Sequence, residues 1–202
     1  MILFLVSITI PLENARAQQR SMRDLSAGLE IDLTYSYYDV HGRTLEDIHE
    51  SLVDGGPETG GETFYAVTGV ETGFRYRQVQ QGPICRLEDV GVQAQVIMRL
   101  PQWNGREQAS SSVRHAWDRF FDHLTRHEAE HYRIIELGVR KVYTSLLDLR
   151  AHSCNVLDSQ AKLLVQSISD DLSAQNASLD LDTDHGAKDG AVWPPEQFSG
   201  TR

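Results

Sequence analysis

The sequence has few cysteines and a negative net charge, and each of these features argues against particular kinds of binding site or partner. Only Cys85 and Cys154 occur among the 202 residues, and neither belongs to a Cys-x-x-Cys pair, which argues against a zinc site built from cysteine. The formal net charge of -10 argues against a nucleic-acid partner or an anionic membrane surface, because both need clustered lysine and arginine. There is also no Gly-x-Ser-x-Gly motif, so a serine-hydrolase elbow is not expected.

Long hydrophobic runs are also missing, since the N-terminal run Ile2–Ile10 is too short to cross a bilayer as a helix. The small residues Ala15 and Ala17 follow it at the two positions that a signal peptidase reads. We therefore predict an exported protein, periplasmic or extracellular, with no stable membrane span in the mature chain; the alternative is a buried N-terminal strand. The predicted organisation is a signal peptide at residues 1–17, a linker at 18–30, one domain at 31–195 and a frayed tail at 196–202.

The cysteine pair fits an exported chain. An even number of cysteines in an oxidising compartment is typical of a disulfide, so Cys85 and Cys154 are candidates for one. The alternative is two buried thiols.

The rest of the chain divides into a strand-rich half and a helix-rich half. Even-numbered residues from Val90 to Leu100 are apolar and alternate with mostly polar neighbours, which is typical of a half-buried strand. Apolar residues at a 3.6-residue period predict a long helix over about 113–150, and a second helix is predicted over about 157–177. The fold class expected is α+β, with an antiparallel sheet packed against the long helix and a second C-terminal helix. Further predicted elements are a strand at 31–40, a short helix capped by Thr44 and Asp47, and an extended segment at 66–76.

The segment HEAEH at residues 127–131 lies on the apolar stripe of the long helix. Residues at i and i+4 project side by side, so His127 and His131 can bind one zinc ion. Glu128 can then act as a general base on water without being a ligand, which is the chemistry of a His-Glu-x-x-His motif. The alternative is a chance match on a charged helix, but three ionisable groups on an apolar stripe are costly without a shared role.

A zinc site of this kind needs a third protein ligand. His152 is roughly 30 Å along the predicted helix from His131 and cannot reach the same ion. His185, in a loop rich in aspartate and glycine, can fold back over the helix, with Asp182 or Asp184 orienting its imidazole; a solvated loop histidine is the alternative. The remaining downstream candidates considered are Asp148, Asp158, Asp170 and Asp171.

Several segments together resemble a bacterial family of uncharacterised proteins described as predicted secreted zinc-dependent proteases. They are YYDVHGRTLEDI, a Gly-Pro loop, a cysteine before a long alternating strand, WDRFFDHLTRHEAEH, a later cysteine and DTDHG, and they span about residues 31–192. The resemblance implies that His127 and His131 are zinc ligands, that Glu128 is the catalytic glutamate and that His185 is a third ligand. One Zn2+ per chain is the cofactor implied, and a peptide or protein is the substrate.

These observations predict metal-assisted hydrolysis of peptide bonds, with Glu128 as the general base. An extended peptide substrate is expected to bind by strand addition at an edge of the sheet. Donors to the developing oxyanion are expected among Tyr65, Arg75, Tyr132 and Tyr143. Two alternatives remain at this point, namely a non-catalytic zinc-binding domain of the cell envelope and a disulfide-stabilised interaction domain without metal.

Overall fold

The computed structural model describes residues 27–195. The predicted signal peptide, most of the predicted linker and the predicted tail therefore lie outside the described residues. Between residues 27 and 195, no helix is long and apolar enough to span a membrane.

The predicted α+β class is confirmed, with a mostly antiparallel sheet packed against long helices. The sheet has the strand order β1-β5-β4, with β6 paired to β5, and β2 and β3 form a separate two-stranded sheet. The elements in chain order are β1 (Gly28–Val40), α1 (Leu45–Gly55), β2 (Glu58–Thr59), β3 (Glu62–Thr63), β4 (Val67–Gln81), β5 (Ile84–Trp103), α2 (Ser111–Asp148), β6 (Arg150–Ala151) and α3 (Cys154–Thr183), with short 3-10 turns at Arg106–Gln108 and Ala187–Asp189.

The chain divides into two compact units. Among the described residues, the first comprises 27–33 with Gly69–Val96 and Arg133–Gln175, and the second comprises Thr34–Thr68, Ile97–Tyr132 and 176–195. In the first unit β4 and β5 are neighbours joined by the two residues Gly82 and Pro83, a connection that only antiparallel strands can use. The disulfide between Cys85 and Cys154 also lies in this unit, which confirms the predicted pairing.

The alternating pattern of β5 predicted its buried face. Its even-numbered apolar residues are all nearly inaccessible to solvent, from Val90 at 3% exposure to Leu100 at 2%. The strand nevertheless runs past Pro101, where a break was predicted, and ends at Trp103. Beyond the proline the chain remains bonded, because the Asn104 amide donates to the Val40 carbonyl at 2.9 Å. A proline interrupts a strand only where its missing N–H is needed by a neighbour.

The two long helices begin and end differently from the prediction. Helix α2 starts two residues before the predicted start and ends two residues before the predicted end, which is the usual uncertainty at helix termini. Helix α3 runs to Thr183, six residues beyond the predicted end near residue 177. The six additional residues have the sequence SLDLDT, which was interpreted as a loop because it is rich in aspartate.

Helix α1 in the second unit begins with the predicted capping box. The Thr44 hydroxyl accepts a hydrogen bond from the Asp47 amide at 3.1 Å, and the Asp47 carboxylate accepts one from the Thr44 amide at 3.2 Å. The pKa of Asp47 is lowered by the hydrogen bond from the Arg43 amide and by those from Thr44. The box fixes the helix entry, and the helix buries Ile48 and Leu52 completely.

Replacing Thr44 with alanine removes the side-chain acceptor and should lower the free energy of unfolding by about 1 kcal/mol. Urea denaturation followed by circular dichroism measures this change. The matched control is Thr44→Ser, which keeps the hydroxyl and should unfold close to the wild type. An equal loss of stability in both variants would contradict a capping role.

Candidate metal centre

Helix α2 presents three residues of the HEAEH segment, namely His127, Glu128 and His131, to the interior of the second unit. The exposed fractions of His127, Glu128 and His131 are 6%, 3% and 8%, so the predicted inward face is confirmed. Burying three ionisable side chains is costly unless each finds a partner, and their partners define the site.

The third member of the site is Asp180, which lies in the last turn of α3. The two imidazole Nε2 atoms of His127 and His131 are 3.2 Å apart. Asp180 Oδ1 lies 3.3 Å from the first of these atoms and 3.0 Å from the second. Three atoms that can bind a metal therefore form a nearly equilateral triangle.

The size of this triangle fits a small divalent cation. Zinc binds histidine nitrogen at about 2.0–2.1 Å in tetrahedral geometry, which places neighbouring ligand atoms about 3.3 Å apart. The three edges of 3.0–3.3 Å have the dimensions of one face of such a tetrahedron. The fourth position of the tetrahedron is then left for water or substrate.

The chemistry of the facing atoms also calls for a cation. His131 Nδ1 donates to the amide oxygen of Asn176 at 2.8 Å, an atom that can only accept. In the neutral ring, His131 Nε2 therefore carries a lone pair, and it faces the carboxylate of Asp180. Two electron-rich atoms at 3.0 Å repel each other unless a proton or a metal ion lies between them.

The pKa shifts of the charged members follow from the same contacts. Burial by itself would raise the pKa of Asp180, but the hydrogen bonds that His127 and, in its protonated form, His131 donate outweigh it and lower the pKa well below its usual range. Burial by itself would lower the pKa of His131, yet the bonds to Asp180 and Asn176 raise it. The site therefore holds a carboxylate that stays ionised at neutral pH.

Glu128 lies on the same turn of α2 but is outside the triangle. Its Oε2 atom accepts a hydrogen bond of 2.6 Å from the hydroxyl of Thr68, at the start of β4. Burial raises the pKa of Glu128, and the bond from Thr68 and the charges of His131 and His127 oppose that rise. A buried carboxyl group with one oxygen held in place suits a group that accepts and returns a proton.

The chain after α3 folds back over this site. Asp184, His185 and Gly186 are consecutive residues in left-handed conformation, with φ of 53°, 51° and 81°. The His185 amide donates to the Asp180 carbonyl at 2.8 Å, and the Gly186 amide donates to the Thr183 hydroxyl at 3.0 Å. These bonds satisfy backbone groups at the end of the helix and fix the turn.

His185 reaches the edge of the site. Its Nδ1 atom lies 3.5 Å from Asp180 Oδ1, and its ring packs on Phe64 with 4.8 Å between centroids. About half of its side chain, 48%, is exposed. The structure thus brings His185 to Asp180, whereas the compact ligand group consists of His127, His131 and Asp180.

Gly186 is required by its conformation and by a close approach to His127. A Cβ atom at this position would lie 2.9 Å from His127 Cγ and 3.1 Å from the Ala191 Cβ. We expect Gly186→Ala to displace the His127 ring and to weaken metal binding at least about 10-fold, as disturbing a group that orients a ligand does. Competition with a chelator measures the affinity.

The matched control for that substitution is Gly60→Ala. Gly60 also has a positive φ of 65°, but no atom lies within 4 Å of a Cβ placed there. This variant should show only the cost of the left-handed backbone, roughly 1 kcal/mol, and normal metal affinity. Equal metal affinity in the two variants would show that the contact with His127 is unimportant.

The other acidic candidates do not belong to the compact ligand group among the described residues. The Asp182 carboxylate accepts a bond from Ser178 at 3.3 Å, and Asp184 is exposed in the left-handed turn. The carboxylate beside His185 is that of Asp180. Three further candidates bond elsewhere, namely Asp158 to Tyr76, Asp170 to Gln166 and Asp171 to Lys141.

Three residues of the candidate site were not predicted from the sequence, namely Asp180, Asn176 and Thr68. Asp180 and Asn176 lie four residues apart on α3, the same spacing that separates the two histidines on α2. This pair could have been recognised if the helix had been predicted through residue 183. Thr68 carries no local signal, because its role depends on a strand meeting a helix 60 residues away.

Comparisons with known proteins bear on the family alone. No curated protein and no solved structure matches the chain. A family model matches residues 35–186, which include every residue of the metal centre described above. The chain therefore belongs to the family described as bacterial protein of unknown function (DUF922).

Proposed function

We propose that the protein is a zinc-dependent hydrolase that cleaves peptide bonds, with His127, His131 and Asp180 as the metal ligands. The observation that carries this proposal is the triangle of two imidazole nitrogens and one carboxylate oxygen with edges of 3.0–3.3 Å, beside the buried Glu128. Three protein ligands with an open fourth position are the arrangement of catalytic zinc sites, whereas structural zinc sites use four protein ligands.

A zinc ion held there would polarise a substrate carbonyl and make water more acidic. Glu128 accepts the proton from the attacking water and later returns it to the leaving amine. Thr68 holds Oε2 of Glu128, so the proton moves through Oε1. Burial raises the pKa of this carboxyl group, which favours the transient protonated form.

A peptide substrate is supported by the position of Thr68. This residue lies at the start of β4, which is the last strand in the order β1-β5-β4 of the sheet that the described residues form. An edge strand can pair with an extended peptide through its free backbone groups. Such pairing next to Glu128 would bring a peptide carbonyl to the catalytic side chains.

Export is supported by the disulfide. The bond between Cys85 and Cys154 is typical of proteins that fold in an oxidising compartment such as the periplasm or the cell exterior. A hydrolase of the cell envelope is therefore part of the proposal.

The experiment that tests this function combines metal analysis with a peptidase assay. The purified chain should contain one zinc ion and cleave an unstructured protein substrate such as casein. Glu128→Gln keeps the size of the side chain, so it should retain zinc and lower kcat by about 10²–10⁴-fold. If Glu128→Gln retained zinc and hydrolysed the substrate as fast as the wild type, the hydrolysis would be attributed to a contaminating enzyme. The protein would then be a non-catalytic metal-binding domain.

Metal identity needs its own measurement. Two histidines and one carboxylate also hold iron(II) in oxygen-activating enzymes, so the donor set alone does not select zinc. Zinc should bind more tightly than iron(II) to the purified chain and should restore hydrolysis after chelation. Restoration by iron(II) and not by zinc would contradict the proposal.

A further inference from the structure

The contact between His131 and Asn176 joins the two long helices at the metal centre. The amide oxygen of Asn176 lies 2.8 Å from His131 Nδ1, the ring nitrogen that faces away from His127 and Asp180. Asn176 is half-buried on α3, one helical turn before Asp180. One face of α3 therefore contributes both a metal-binding carboxylate and an acceptor for a ligand histidine.

We propose that Asn176 is a positioning residue, which keeps the proton of His131 on Nδ1 and so leaves Nε2 free to bind metal. This inference rests on the metal site proposed above. A neutral imidazole carries its single proton on either nitrogen, and only an unprotonated Nε2 can bind a metal. An acceptor at Nδ1 selects that form before metal arrives and fixes the rotation of the ring.

The two ligand histidines differ in this respect. His127 Nδ1 is buried, and no partner for it exists among the described residues. Its ring lies close to Gly186, where an added Cβ atom would be 2.9 Å from His127 Cγ. His131 is therefore the one of the two histidines whose Nδ1 atom has a hydrogen-bond acceptor.

The hydrogen-bonding chemistry gives the variants opposite expected effects. Asn176→Leu keeps a similar volume but removes the acceptor, and it should lower zinc affinity by about 10–100-fold. Asn176→Asp keeps an acceptor at the same place and adds charge, so it should bind zinc at least as tightly as the wild type. Gln175→Leu places the same side chain on the exposed neighbouring residue and serves as the control for helix stability.

The test is a competition titration of the zinc-free chain against a chelator for the wild type and the three variants. Wild-type affinity in Asn176→Leu would overturn the proposal, and so would a loss in Asn176→Asp as large as that in Asn176→Leu. Circular dichroism of the zinc-free variants identifies any variant that has not folded.

A second measurement uses the zinc-free wild-type chain, so the test of the proposal does not depend on whether the Asn176 variants fold. Nitrogen-15 spectra of labelled histidine, assigned with His131→Gln, should show His131 protonated at Nδ1 and unprotonated at Nε2 when the ring is neutral. The opposite tautomer would overturn the role of Asn176. If the wild type bound no zinc, the metal site itself would fail, but these spectra would still decide whether Asn176 selects the tautomer.

Discussion

Asp180→Ala should abolish stoichiometric zinc binding, whereas His185→Ala should retain it with reduced affinity. Asp180 Oδ1 lies 3.0–3.3 Å from both histidine Nε2 atoms and completes the ligand triangle. His185 contacts one of these ligands, Asp180, with 3.5 Å between His185 Nδ1 and Asp180 Oδ1. About half of the His185 side chain is exposed. Residues that only orient a ligand are worth about 10–100-fold in metal affinity, so loss of a ligand should cost more than about 100-fold.

The measurement is metal content after dialysis, followed by chelator competition, for the two alanine variants and for Asp180→Asn. The asparagine variant keeps the shape of the side chain and removes its charge, so it separates ligation from packing. The opposite order of affinities, with His185→Ala losing the metal and Asp180→Ala keeping it, would make His185 the third ligand. That result would restore the ligand set expected from sequence resemblance.

Removing the disulfide should produce the largest change in stability. Cys85 and Cys154 are separated by 69 residues, and closing a loop of that size lowers the entropy of the unfolded chain. In the chain-entropy model this is worth about 4 kcal/mol of unfolding free energy. Because small domains are stable by only about 5–15 kcal/mol, a loss of this size is a large fraction of the total.

Urea denaturation of the double variant Cys85→Ala, Cys154→Ala measures this loss. Wild-type protein treated with a reductant should lose a similar amount, while the same reductant should leave the double variant unchanged. Wild-type protein that unfolds at the same urea concentration with and without the reductant would contradict a stabilising role. The comparison within one protein also separates the bond from the cavity that the fully buried Cys85 would leave.

The local sequence pattern was sufficient to predict features that depend only on neighbouring residues. The alternation in β5 predicted its buried face, and the pair Thr44 and Asp47 predicted the start of α1, because both depend on residues within a few positions. The inward orientation of HEAEH followed from the apolar stripe of α2 in the same way. Half of the candidate metal centre was therefore predictable from the sequence.

The remaining residues of the candidate metal centre depend on contacts between segments that are distant in the sequence. The composition of the last turn of α3 is typical of a loop. In the structure, however, Asp180 contacts both histidines, and the Thr183 hydroxyl accepts a hydrogen bond from the Gly186 amide. These contacts stabilise the helix in this turn. A tertiary contact of this kind outweighs intrinsic propensity, which spans less than about 1 kcal/mol per ordinary residue. Asp180 was missed because the boundary of its helix was set by partners that the local sequence does not show.

The bond between Asn176 and His131 has a practical consequence for producing the protein. Asn176, Ala177 and Ser178 form the tripeptide that eukaryotic secretory pathways glycosylate on asparagine. A glycan is attached to the amide nitrogen, and its bulk beside this half-buried side chain would crowd the contact between Asn176 Oδ1 and His131. Partly glycosylated material secreted by such a host would therefore contain two populations with different metal affinity. The hydroxyl of Ser178 is exposed and bonds only to Asp182 among the contacts described above. Ser178→Ala therefore removes the acceptor tripeptide while leaving the Asn176 side chain in place.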